Sequence, residues 1–339
     1  LHTNMAASLS ALLPYFPPVD FAMGYGSAVF QQSGHNDSTS MIDLVLAVED
    51  PLAWHTEQLQ RHPEHYSGIK HLGPEAIVYV QENFGAGCYY NTLVPVPGSS
   101  QLSTFPPCVQ RLPTFSCLVK YGVVKTSTLC HELTEWPTLY LSGRMHKPVR
   151  GVNIITSTPA IDAAASTNLT NALHLAILGL PETFTEEQLF MVLLKFAITK
   201  IAGISYWGDF RMVFGENPKK VRNIVHGSLD KFKQLYQPQI DTSPFVCRLH
   251  GSNLQSDMSP EARNAMLLGL PHNITSRLSE KSRLKVTQTP HGKKLLKFAV
   301  SAVVGQYSRT QSLKGIATAG GIKTLVYVWQ KLSRTYLGK

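Results

Sequence analysis

The chain has 339 residues, 43% hydrophobic and 16% charged, which is enough for two cores of ordinary size and excludes a disordered or fibrous protein. Its five cysteines, Cys88, Cys108, Cys117, Cys130 and Cys247, are odd in number and include no C-x-x-C pair, which argues against a metal cage or disulfide framework and for a reducing compartment. The formal charge of +9 is segregated: residues 281–339 carry twelve Lys or Arg and no Asp or Glu, leaving nineteen bases against twenty-two acids in the rest, so the tail is expected to meet a polyanion, either a membrane surface or a nucleic acid.

No Lys or Arg precedes Arg61, which argues against an Arg-rich transit peptide or secretory signal at the visible N-terminus. The start at Leu1 rather than Met suggests a piece of a longer chain. Val19 to Met23 is short and apolar and runs into Gly24-Tyr25-Gly26-Ser27, a strand, tight turn and helix start. After the polar stretch Ser33 to Ser40, Met41 to Val48 is a nearly continuous apolar run of strand length holding one carboxylate, Asp43. A charge inside a buried strand needs a reason. Ala76 to Gln81 reads as helix or strand, and Cys88 to Val96, rich in Tyr, Thr and Val, as a strand. Residues 98–114 read as an exposed loop. Leu118 to Val124 resumes strand character and Ser127 to Leu141 helical character.

Beyond about residue 152 the pattern turns helical, with Asn168 to Leu178 ended by Gly179 and Pro181. Thr185-Glu186-Glu187-Gln188 is a capping box opening the next helix. The tail predicts helices over 291–307 and 321–332. In the second, Ile322, Leu325, Val326 and Trp329 share one face beside Lys323, Lys331 and Arg334. No apolar run reaches the eighteen or so residues that span a bilayer, so membrane contact is expected to be peripheral.

Strand, Gly-Ser turn, helix and then a strand bearing Asp is similar to the entry of the nucleotidyltransferase fold of the DNA polymerase beta superfamily. Turn amides and a helix N-terminus can hold triphosphate oxygens, and a strand carboxylate can bind magnesium bridging them. Taken alone, the turn reads preferably as an ordinary turn with Ser27 as a helix N-cap; paired with Asp43, it reads equally as a phosphate-holding turn.

Ordered blocks carry a closer resemblance: Phe21 to Ser27, Met41-Ile42-Asp43, Asp50 to His55, His65-Tyr66-Ser67, Gly85 to Asn91, Lys120 to Val123, Ser142 to Val149, Tyr206 to Met212, Lys220 to Val225 and Gln311 to Gly320. They resemble the mitochondrial translocator assembly and maintenance protein family across most of the chain. The resemblance implies an α/β (α+β) protein with three parts: a nucleotidyltransferase domain over 1–152, a mainly helical winged-helix-type domain over 153–280, and a basic amphipathic membrane-associating region over 281–339. It implies a phosphatidate cytidylyltransferase on the matrix side of the mitochondrial inner membrane, a peripheral enzyme making CDP-diacylglycerol for cardiolipin. CTP, phosphatidic acid and an anionic membrane surface are its expected partners, with no nucleic acid and with Mg2+ as cofactor.

Carried residue by residue, the resemblance points to Tyr25, Gly26 and Ser27 for the triphosphate and Asp43 for magnesium. Lys120, Arg144 and Lys147 serve either phosphate or solvated surface, while Tyr90 and Asn91 serve either cytosine and ribose or the core. The superfamily's second metal carboxylate is missing, because Val45 stands two residues after Asp43; Glu132 is the candidate replacement. The loop at 98–114 also looks longer than the family's. His55 reads as a proton-transfer aid or, preferably, a structurally satisfied histidine, and Asp209 with Arg211 as an internal ion pair. Two rival readings remain: an RNA-end nucleotidyltransferase and a non-catalytic membrane scaffold for a protein translocator. The tail's apolar faces, without stacking aromatics, disfavour the first; the retained turn, Asp43 and spaced cations disfavour the second.

Overall fold

The structure, a computed structural model, describes residues 9–10, 12–26, 41–97, 116–148, 150–151, 157–191, 193–194, 197–198, 201–214, 220–288 and 292–319. Ser27, the 98–114 loop and the predicted helix over 321–332 lie outside the described residues. The chain divides into two compact units, one of Leu1–Leu129, Val149–Ile161 and Arg309–Lys339, the other of Cys130–Pro148 and Asp162–Ser308. The sequence reading instead cuts the chain once near residue 152 and sets the tail apart. Segments distant in sequence share a core here, which a composition shift along the chain does not reveal.

The first unit is built on a mixed sheet of β1 (Phe21–Tyr25), β2 (Ile42–Val48), β3 (Cys88–Pro97), β4 (Ser116–Lys125) and the two-residue β5 (Arg150–Gly151), in the order β3-β4-β2-β1-β5. β2 runs parallel to β4, while β1 against β2 and β3 against β4 are antiparallel. Leu44, Leu46, Val48, Val119, Tyr121 and Val123 are buried together with Leu12, Phe16 and Trp54; the period-two alternation of β2 and β4 puts one row on this side of the sheet. Asp50 stops β2 and starts the Pro51–Arg61 helix, its carboxylate accepting from Leu52 N at 2.9 Å and Ala53 N at 3.1 Å. Pro51 at the first helical position loses no hydrogen bond there.

His55 of that helix is fully buried. Its Nδ1 lies 2.7 Å from the Tyr66 hydroxyl and its Nε2 3.0 Å from Gln81 Oε1, so the neutral ring accepts from the phenol and donates to the amide. Burial pushes its pKa down to about 4, which makes it the satisfied structural histidine. His146 of the second unit, also buried, is held down to about 3 by burial and then by Lys147. In both cases the folded value is depressed, so below pH 6.5 the unfolded chain takes up protons that the folded chain refuses. Stability should therefore fall as pH drops from 6.5 toward 4, by about 3 kcal/mol through His55 alone. Urea midpoints at pH 7 and pH 5 check this. An unchanged midpoint, or an equally steep loss in His55→Gln, would remove His55 as a cause.

The second unit holds the larger apolar core, including Trp136, Leu173, Ile177, Phe184, Phe190, Phe232, Tyr236 and Met266. Its helices Pro159–Ile177, Glu186–Phe190 and Leu229–Thr242 accompany a three-stranded antiparallel sheet in which Asn253–Ser256 lies between Thr183–Thr185 and Val246–Arg248. The capping box forms as expected, with Gln188 N donating to Thr185 Oγ1 at 3.1 Å and Thr185 N to Gln188 Oε1 at 2.9 Å. Arg211 clasps buried Asp209 through Nε at 3.0 Å and Nη2 at 2.6 Å, the expected internal pair.

Two helix boundaries differ from the sequence reading. The helix from Thr126 ends at Glu135, because Pro137 disfavours α geometry at the preceding residue, and Trp136 turns to φ +50°. In the tail one helix runs Lys293–Ala319, straight through Gly305, whose bare Cα allows the Gly208 carbonyl to approach; a Cβ there would lie 3.2 Å from that oxygen. Leu296, Val300, Val303 and Val304 are buried in the second unit. Further along, Gln311 Oε1 accepts from Ala86 N at 2.8 Å, and Lys314 Nζ donates to Gln81 O and Phe84 O at 3.0 and 2.7 Å. Lys314 thereby serves carbonyls at the end of the Gly73–Asn83 helix, which have no partner within it. So the tail as far as Ala319 completes cores and caps a helix, and at least one of its bases is turned inward.

Candidate active site

Sheet register assembles the site. Tyr25 pairs with Asp43 across β1 and β2, and Asp43 with Lys120 across β2 and β4, so three side chains from three strands form one row on one face. Lys120 Nζ lies 3.6 Å from Asp43 Oδ1, with the two side chains 19% and 25% exposed. The pair is accessible to a ligand and too wet to be a large stabiliser.

Gly122, two residues after Lys120, faces the same way. A Cβ there would lie 2.5 Å from Tyr90 Cε1 and 2.7 Å from Tyr90 Cζ, so only glycine lets the Tyr90 ring lie across β4. That placement brings the ring under Lys120 Nζ, 4.8 Å from its centroid, a cation–π contact. It also sets the Tyr90 hydroxyl 3.4 Å from that of Tyr25.

The turn after β1 closes on the same carboxylate. Gly26 has φ +85°, and a Cβ on it would lie 2.7 Å from Asp43 Oδ2. Any other residue would be strained there and would crowd the carboxylate. The bare Cα lets the turn backbone lie against the Asp43 carboxylate without a side chain covering it.

Asn91 is not gathered into this row. One residue along β3 from Tyr90, it faces the other side of the sheet, 3% exposed, and donates from Nδ2 to the Tyr121 hydroxyl at 2.8 Å. Alternation along a strand separates two neighbours that the sequence reading paired as joint readers of a base.

Glu132, Arg144 and Lys147 belong to the second unit, whereas Asp43, Lys120 and Tyr90 belong to the first. Glu132 is 2% exposed. Its oxygens accept from Thr138 N at 3.1 Å, Tyr140 N at 2.7 Å, Leu141 N at 3.2 Å and Ser142 Oγ at 3.0 Å. Burial pushes its pKa up, and the Thr138 and Ser142 hydrogen bonds pull back. With its oxygens engaged by a loop, Glu132 has a folding task, and we leave it out of the metal set proposed below. Lys147 Nζ donates to Gly143 O at 2.9 Å and Ser205 Oγ at 3.0 Å, over the Tyr206 ring. Arg144 donates to Tyr140 O and stacks on the Tyr140 ring at 3.8 Å. Both are part-buried cations already engaged by neighbouring protein groups.

Sequence reasoning missed Gly122 as the platform for Tyr90. Its only signal was a glycine in the middle of an apolar strand, which marks close approach by another group.

The chain is similar to known proteins over nearly its whole length. A family described as "Phosphatidate cytidylyltransferase, mitochondrial" matches residues 9–334. A protein of that name from Rattus norvegicus is 37% identical over 354 residues, covering 100% of this chain and 97% of its own. One from Danio rerio is 38% identical over 353 residues, covering 99% and 96%. One from Schizosaccharomyces pombe is 34% identical over 364 residues, covering 99% and 85%.

Proposed function

The chain belongs to the family of mitochondrial phosphatidate cytidylyltransferases, and from that premise we propose that it transfers CMP from CTP to phosphatidic acid, releasing pyrophosphate and yielding CDP-diacylglycerol for cardiolipin synthesis. The observation that carries the reading is the Asp43–Lys120 pair at 3.6 Å beside the bare Cα of Gly26. A carboxylate, a cation and an uncrowded turn then share one sheet face, as the handling of a triphosphate requires. On this reading the mixed sheet is the nucleotidyltransferase domain, and the helices with the three-stranded sheet form the winged-helix type of domain.

The attacking group is a phosphate oxygen of phosphatidate, already anionic, which displaces pyrophosphate from the α-phosphorus of CTP. No strong general base is needed, consistent with His55 being buried and neutral. Rate enhancement then comes from positioning and charge neutralisation. Lys120 offsets charge on the triphosphate, the Gly26 turn lets it approach, and the Tyr90 ring with the Tyr25 hydroxyl borders the nucleotide side.

The donor set suits magnesium in one particular mode. A lone accessible carboxylate, with Gly26 leaving its Oδ2 uncrowded, matches an ion held by one or two carboxylates and completed by substrate phosphates and water. Asp43 would hold it, and when bound it would supply neutralisation of the triphosphate charge.

Among the described residues no helix is long and apolar enough to cross a membrane. We place the enzyme peripherally on the matrix side of the inner membrane, with the basic tail toward anionic lipid. The functional test is incorporation of radiolabelled CTP into lipid on vesicles containing phosphatidic acid, with and without magnesium. Label should appear in CDP-diacylglycerol only with magnesium, and ATP should substitute poorly. Label entering RNA instead, or no lipid product under any condition, would overturn the reading.

A further inference from the structure

We propose that His62, Glu64 and His65 form a site for one divalent cation of the zinc class, distinct from the Asp43 row. The three follow the Pro51–Arg61 helix, where Pro63 opens a single 3-10 turn, Pro63–His65, that folds His65 back toward His62. They are the one group of three or more His, Cys, Asp or Glu side chains among the described residues that offers converging ligand atoms, one from each, within 4.8 Å of one another. His62 Nδ1 lies 3.0 Å and His65 Nε2 3.8 Å from the same oxygen, Glu64 Oε1. A tetrahedral ion with bonds of about 2.0–2.1 Å separates its ligand atoms by roughly 3.3 Å, between those two distances.

The two imidazoles stack with centroids 4.7 Å apart and planes within 6°, so joint binding of one ion through in-plane lone pairs requires the His62 ring, 32% exposed, to swing out of the stack. The far nitrogen of His65, Nδ1, lies 3.0 Å from the Gln58 amide and 3.0 Å from the Tyr121 hydroxyl. Gln58 is fully buried, and its Oε1 has no hydrogen-bond partner. With that oxygen turned toward His65, it accepts Nδ1–H and leaves Nε2 as the unprotonated nitrogen facing Glu64. An outer hydrogen bond of this kind orients metal-bound histidines. The side chains of Glu64 and His62 are 58% and 32% exposed, so an ion can enter from solvent and keep water as its fourth ligand. Two imidazoles and a carboxylate favour zinc over magnesium. The bound ion would pin the helix end to the turn, and through His65 and Tyr121 to β4 and Asn91.

The test is titration of the chelator-treated full chain with Zn2+ by calorimetry in excess Mg2+, with Co2+ absorption as a report of tetrahedral geometry. We expect one equivalent of Zn2+, tetrahedral Co2+ bands and a raised Tm. His62→Ala and Glu64→Gln, both at the surface, should each weaken binding by roughly tenfold or more, while Asp43→Asn should bind zinc as the wild type does. Variants at buried His65 are avoided because they can disturb folding. Binding that does not saturate at one equivalent, or that survives both surface substitutions, overturns the site and leaves a simple His–Glu pair.

Discussion

Replacing Asp43 with asparagine is expected to leave the chain folded and to cut cytidylyl transfer by a factor on the order of 10² or more. Folding should survive because β2 is held by its backbone ladders to β1 and β4 and by its buried row, not by this part-exposed side chain. The substitution keeps shape and removes charge. Lys120 then loses its counter-charge but remains 19% exposed, so the stability cost should be within about 1 kcal/mol. Turnover should suffer because one carboxylate is the whole of the proposed protein contribution to the metal on this face. The measurement pairs kcat with a urea midpoint; activity within about threefold of wild type would take Asp43 out of the mechanism.

Glu132→Ala should have the opposite signature, a loss of stability on the order of 3–5 kcal/mol that precedes any question of catalysis. The carboxylate collects three backbone N–H groups and the Ser142 hydroxyl. The loop it gathers contains two non-glycine residues in the left-handed region, Trp136 at φ +50° and Leu139 at φ +55°. Such conformations cost of order 1–3 kcal/mol each and persist only where the surroundings over-determine them. Trp136 is held from its other end by Nε1 donating to Asn168 Oδ1 at 2.7 Å, and Asn168 also lies 2.9 Å from His146 Nε2. Removing Glu132 therefore leaves buried donors without acceptors and releases a strained loop. Since native domains are stable by only about 5–15 kcal/mol, expression and urea midpoint should both drop. A variant with wild-type stability and a weakened magnesium dependence would return Glu132 to the metal site.

Local chemistry was legible in this sequence wherever one short segment carries its own reason. The apolar run with a lone Asp43 specified β2, and the Thr185 box specified a helix start. Asp209 and Arg211, two residues apart, announced their own ion pair. The family, too, was legible from ordered blocks spread along the chain. What required tertiary structure was every relation set by strand register or by distant segments meeting. Tyr25, Asp43 and Lys120 stand in one row only because β1, β2 and β4 pair in that register. Asn91 parts from Tyr90 because alternate residues of a strand face opposite ways. Glu132 and Lys314 illustrate the same limit for charges. In sequence, each is a polar residue that could meet a ligand; in the fold, each is buried and hydrogen-bonded to backbone groups. Desolvation makes such a group either paired or costly, and which backbone it pairs with is decided by the packing of segments, not by neighbours along the chain.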